Sequence, residues 1–242
     1  MIIRSRPEGR KRQTTPRDRA SHLSLHGRVL PSVTVKVITV NYEPDAAAFA
    51  ERLFGYRPAD DELACLAGLL DGATVTVSVK RQKSWLYLSV NDPRFERYET
   101  SVRKDVDGGL FAYIHHTYVA AGQTGQGYGL RAFLQQVRSA QRLGLTRFEL
   151  YAAGNPATGA ENGYYTWARY GFNAALREPE IALLPAALRG VADLNEVMQR
   201  GYHWWWKATG DSRSMVFDLA QNSSMMQVFR AYLETKKLTF EE

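Results

Sequence analysis

The sequence predicts a mixed α/β fold. Short β-branched stretches with alternating polarity mark strands, and longer runs with one apolar face mark helices. The two kinds interleave along the chain, with no internal repeat. The 242 residues, 45% hydrophobic and 12% aromatic, suffice for one sizeable core.

In chain order, "SVTVKVITVNY" (33–43) alternates and is β-branched, so it predicts a first strand. "EPDAAAFAERLF" predicts a helix. "PADDELACLAGLLDG" predicts a second, with an Asp N-cap and Gly72 closing it. "ATVTVSVKR" and "SWLYLSVND" form a hairpin turning near Gln82–Ser84. The stretch 94–109 has no clear pattern and ends in "DGG". "LFAYIHHTYVA" (110–120) is the next strand, followed by a glycine segment and a helix over about 129–143. "TRFELYAA" is a strand, and "ENGYYTWARYGF" a short helix ending at Gly171. Beyond Pro179, "ALLPAALRGVADLNEVMQ" is helical and "GYHWWWKATGD" is aromatic-rich. The strand "SMVFDLA" and the helix "MMQVFRAYLETKK" close the order.

The net charge of +6 lies in one place. Residues 1–28 hold eight Lys or Arg against Glu8 and Asp18, so residues 29–242 are net neutral. This predicts a basic, solvated, disordered arm over 1–28 and a folded domain over 29–242. Nucleic acid is a partner only through that arm. The single cysteine, Cys65, excludes an intrachain disulfide framework and suits core packing. No apolar run approaches the roughly 20 residues of a membrane span. The N-terminus lacks a signal peptide's apolar stretch. A cytoplasmic protein with no membrane partner is expected.

The segment "VAAGQTGQGYG" (119–129) places Gly125, Gly127 and Gly129 before an amphipathic helix. Glycines there admit positive φ and close approach, and a helix N-terminus favours an anion. A P-loop needs Gly-Lys-Ser/Thr, but Leu130 and Arg131 follow Gly129. A dinucleotide fingerprint needs G-x-G-x-x-G, whereas the spacing here is G-x-G-x-G, and Glu149 falls inside a strand.

The segment resembles the V-x-P-x-x-(R/Q)-G-x-G-(I/L)-G loop of the GNAT superfamily of acyl-CoA-dependent N-acyltransferases. "YYTWARYGF" is similar to that family's "lYeklGF", and the resemblance is strongest over about 110–173. It implies a mixed, mostly antiparallel sheet flanked by helices, here with an aromatic-rich insertion at about 178–210 before the last strand. It also implies acetyl-CoA, or another acyl-CoA, as co-substrate, and transfer to a primary amine by direct attack. The CoA-contacting residues on this resemblance are Thr117, Tyr118, Val119, Thr124, Gly125, Gln126, Gly127, Tyr128, Gly129 and Asn162. No metal ligand set is assigned. The chain departs from the pattern at Ala121, at Thr124, and at Trp167, where the family often has a tyrosine that reprotonates the thiolate. Tyr164, one turn earlier, is the expected substitute.

Amide formation needs a neutral amine, which a histidine base helps to supply. Regular alternation places Tyr113, His115, Thr117 and Val119 on one face and Ile114, His116 and Tyr118 on the other. His115, four residues before Val119, matches a base position of the family, with Tyr113 six before. Read as extended, "HWWWK" (203–207) turns Trp204 and Trp206 one way and Trp205 the other, as core packing or a wall over the acceptor site. The acceptor, a small-molecule or peptide amine, is expected at the variable loops 54–62 and 178–210, with Asp211, Glu180 and Asp193 as acids to meet it. Two alternatives stay open: an acyl-CoA-binding protein without catalysis, and a nucleic-acid-associated protein using the basic arm.

Overall fold

A computed structural model describes residues 38–80, 84–159 and 161–240. The basic arm and the first part of the expected strand 33–43 lie outside them, as does most of the turn expected near Gln82–Ser84. The described chain is mixed α/β, with one seven-stranded, mostly antiparallel sheet. β1 (Thr39–Tyr42) leads into α1 (Ala46–Phe54) and α2 (Asp60–Leu66). Four strands follow: β2 (Thr74–Lys80), β3 (Trp85–Asn91), β4 (Phe95–Lys104) and β5 (Leu110–Val119). Then come α3 (Tyr128–Arg142), β6 (Arg147–Ala152) and α4 (Gly163–Arg169). The chain closes with α5 (Glu178–Ala182), α6 (Leu194–Gln199), α7 (His203–Thr209), β7 (Arg213–Asp218) and α8 (Ser224–Thr235).

The sheet runs in sequence order. β1 and β2 are parallel, as are β5 and β6, and the other neighbours are antiparallel. The unpatterned stretch 94–109 is a strand, β4, with a turn in which Gly108 adopts φ +85°. Its polarity signal is weak because two of its polar side chains, Thr100 and Ser101, are fully buried.

α2 ends six residues before the predicted Gly72. Gly68 closes it at φ +83°, where a Cβ would stand 2.2 Å from the Tyr98 ring. Leu69 and Leu70 beyond it are buried without helical geometry, so apolar content extended the prediction too far. The N-cap is Ala59, not an Asp. Its N–H donates to Glu62 at 2.9 Å.

The core lies on one face of the sheet. Phe133 of α3 is its centre, with the rings of Phe148, Trp167, Tyr170, Phe172, Phe217 and Phe229 within 5.2–5.9 Å. Gln136 is fully buried beside it. It accepts from Tyr98 Oη and donates to Thr100 Oγ1 and to the Leu66 carbonyl, tying α3 to β4 and α2.

The helices pack on this face, and the opposite face carries no helix among the described residues. Its centre is closed by side chains of the sheet itself. The Arg103 guanidinium lies 3.4 Å from the Trp85 ring centre and 4.3 Å from that of Tyr113, a stacked arrangement that shields the strands beneath.

The segment 203–207 is helical rather than extended, which overturns the predicted alternation of its tryptophans. Adjacent Trp205 and Trp206 are both buried, and Trp204 is exposed. Each buried indole N–H has an acceptor: the Leu183 carbonyl for Trp205 and the Tyr164 carbonyl for Trp206. Helical geometry is what lets consecutive indoles share one side.

Candidate functional site: a cleft where two strands part

β5 and β6 pair in parallel only over four residues, from Phe111 with Arg147 to Ile114 with Leu150. Beyond that point β5 continues alongside β4, and β6 alongside β7. The two strands part, and backbone groups of 115–119 on the β6 side lose their ladder partners. Buried backbone polar groups need partners, so this edge is a ready line of hydrogen-bonding sites. The Thr117 hydroxyl is buried there and has no hydrogen-bond partner among the described residues.

The parted strands open a cleft of about 800 Å³. The glycine segment forms one end. Gly122, Gly125 and Gly127 all have φ near +80°, and no atom lies within 4 Å of where a Cβ of any of them would be. Their need is conformational, since a left-handed backbone is costly for other residues. Gly127 is the N-cap of α3, and the first α3-type bond runs from the Arg131 N–H to its carbonyl. The N–H groups of residues 125–130 have no protein acceptor among the described residues. Together they form a concave row of donors at a 15-residue helix's positive end. Arg131 Nη2 donates to the Gln126 carbonyl and holds the loop's shape.

All ten residues assigned to CoA from the sequence line this one cleft: Thr117, Tyr118, Val119, Thr124 to Gly129, and Asn162. His115 lines it too, whereas Tyr113 and Tyr164 do not. Tyr113 sits on the helix-free face against Arg103 and His115. The Tyr164 hydroxyl donates to the Lys207 carbonyl at 2.7 Å and anchors α7. Burial raises its pKa.

The predicted alternation along β5 breaks at His115. Ile114 is opposite Thr100 and His116 is opposite Glu99, so His115 is the extra residue of a β-bulge. The extra residue shifts the phase of everything after it. His116 and Tyr118 therefore join Tyr113 and His115 on the helix-free face, while Thr117 and Val119 turn toward α3. The contacts agree: His116 stacks on Tyr118 at 5.7 Å, and Val119 lies against Gly129.

The two histidines have different surroundings. His115 Nε2 is 3.0 Å from Ser101 Oγ and 3.4 Å from Arg103 Nη2. Arg103 Nε donates to the same Ser101 oxygen at 3.1 Å, so the serine and the guanidinium together engage His115. His116 Nε2 instead lies 3.9 Å from Glu99 Oε2. Burial opposes the charge on Glu99, but hydrogen bonds from Arg97 and Tyr87 outweigh it and hold the carboxyl below its ordinary range.

Tyr170 is a residue the sequence reading missed. Its ring packs on Phe133 and Trp167, while its hydroxyl lies 4.0 Å from the would-be Cβ of Gly129 in the cleft wall. The hydroxyl has no hydrogen-bond partner among the described residues, and burial raises its pKa. Its place directly before Gly171 was the available signal. Gly171 has φ +92°, which turns the chain immediately after the tyrosine. Trp167, at the family's tyrosine position, also lines the cleft.

The cleft is electrically uneven. Its loop end has the row of N–H donors and, beyond Tyr232, Lys236. Its side toward the helix-free face has Glu161 and nearby Glu99, and Glu96 lines it beside Val119. The expected acceptor loops lie elsewhere: neither 54–62 nor 178–210 contributes a lining residue. Of the acids expected there, Glu180 is buried against Arg213, Asp193 caps α6, and Asp211 pairs with Arg177. No protein-family model matches the chain, and no curated protein matches it.

Proposed function

We propose that the protein is an N-acyltransferase that moves an acyl group, acetyl in the simplest case, from coenzyme A to a primary amine. The observation that carries this reading is the parting of β5 and β6 directly before the glycine loop. A thioester of CoA has a polyanionic diphosphate and a long arm of two amides. The row of N–H groups at residues 125–130 suits the first. The unpaired edge of residues 115–119 suits the second, as an added strand would.

In the proposed reaction the ammonium loses a proton and its nitrogen attacks the thioester carbonyl. A backbone N–H of the open edge stabilises the oxyanion. The C–N bond forms, the C–S bond breaks, and the thiolate takes a proton to leave as CoA thiol. His116 is proposed as the proton acceptor, since Nε2 of His115 is engaged by Ser101 and Arg103. Tyr170 is proposed to protonate the thiolate in place of Tyr164, whose hydroxyl is committed to Lys207. Tyr113 keeps a positioning role through Arg103 and His115.

A second reading, acyl-CoA binding without turnover, is favoured by one feature. Trp167, whose indole is no acid near neutral pH, stands where the resemblance places a tyrosine. The test is incubation of the purified protein with acetyl-CoA and a panel of primary amines, following CoA thiol release. Amine-dependent release supports the enzyme, and binding without release supports the second reading. No binding of CoA contradicts both.

A further inference from the structure

We propose that the amine acceptor docks from the helix-free face of the sheet, in a subsite between Tyr118 and Tyr151, and that it is an alkylammonium with a flat apolar body. This rests on the acyl-CoA reading. The loop end of the cleft lies on the helix side, beside α3, so the helix-free mouth is the side left for a second substrate.

Three observations define that mouth. Tyr118 on β5 and Tyr151 on β6 both line the cleft on this face, and they are 41% and 57% exposed. The two rings make no contact with each other among the described residues. A flat group between them buries apolar surface on both sides. The Tyr118 hydroxyl donates to Glu161 at 3.0 Å, so a carboxylate from the β6–α4 connection is held at the opening. Glu96 lines the same cleft. The cations on this face are engaged: Arg97 by Glu99 at 2.9 Å, Arg147 by Asp105 and Glu149, and Arg103 between the rings of Trp85 and Tyr113. The mouth therefore favours a cation, whereas the loop end favours an anion. His116 stacks on Tyr118, so a proton acceptor adjoins the docked ammonium.

Titration of the full chain with 2-phenylethylammonium, with CoA present and absent, tests the subsite apart from the chemistry. Ethylammonium and phenylacetate serve as controls for ring and charge. Phenylethylammonium is expected to bind at least tenfold more tightly than either control. Tyr118→Ala and Tyr151→Ala should each weaken it by fivefold or more, and Tyr151→Ala, which lies outside the residues assigned to CoA, should leave CoA affinity and melting temperature unchanged. Glu161→Gln should weaken the cation but not a neutral aromatic alcohol. Equal binding of the controls, or binding unaffected by both tyrosine variants, overturns the proposal. Failure of CoA to bind while phenylethylammonium still binds in this pattern refutes the acyl-CoA reading and leaves the subsite standing. Absence of phenylethylammonium binding under both conditions refutes the subsite.

Discussion

His115 and His116 are consecutive in the chain, yet both side chains lie on the same face of the sheet, because His115 is the extra residue of a bulge in the β4–β5 ladder. The bulge gives them different work. Ser101 and Arg103 engage His115, and Glu99 stands beside His116. With the acceptor amine in place, His116→Gln is expected to reduce kcat by about 10²–10⁴, the usual worth of a positioned base, with CoA affinity unchanged. His115→Gln should reduce it less, through loss of the Ser101 contact. Steady-state kinetics of the two variants decide between them.

A pH dependence follows from Glu99. Its carboxyl is held below the ordinary carboxylate range, so it stays charged as pH falls from neutral. The stability that Arg97 and Tyr87 lend this charge is present at neutral pH and is lost as pH falls through the lowered value. Glu99→Gln should lessen that loss on the acid side. A melting temperature whose pH dependence is the same in the variant would contradict this.

Tyr164 and Tyr170 offer a clean contrast. Tyr164→Phe loses the bond to the Lys207 carbonyl and should cost about 1 kcal/mol of stability with little change in turnover. Tyr170→Phe removes a hydroxyl with no protein partner. It should leave the melting temperature near its original value and slow turnover when thiolate departure limits the rate. Denaturant unfolding and single-turnover kinetics separate these outcomes.

Gly127 combines a left-handed φ of +77° with the N-cap of α3. Gly127→Asp adds strain and a negative charge where the diphosphate is proposed to sit. CoA affinity should fall at least tenfold, about 1.4 kcal/mol. The fold should persist, since nothing lies within 4 Å of the new Cβ. Unchanged affinity by calorimetry removes the loop from the site.

Gln136→Leu is expected to destabilise the protein by about 2–4 kcal/mol, because it strands Tyr98 Oη and the Leu66 carbonyl in the core. The measure is the midpoint of urea unfolding.

Much of the fold was legible because periodicity is local. The hairpin, the glycine loop with its helix, and the strand of 146–153 all follow from spacing. What was illegible depends on tertiary partners. β4 hides its pattern by burying Thr100 and Ser101. The helix through Trp204–Trp206 forms because Leu183 and Tyr164 supply acceptors for two indoles. The face of His116 turns on a bulge, which depends on how β4 and β5 pair and leaves no mark in β5 alone. Residues 117–119 and 123–129 meet in the cleft because they are nearly contiguous in the chain. Tyr170, Tyr151 and Glu161 come from other elements and needed the fold.

The most direct test of the central claim is an amide ¹⁵N chemical-shift titration of the protein with CoA. The account predicts saturable, one-to-one perturbations centred on residues 125–130 and 115–119, with the N–H signals of Gly125 and Gly127 among the largest. Unperturbed spectra at millimolar CoA, or shifts confined to residues outside the β5–β6 cleft, would contradict it.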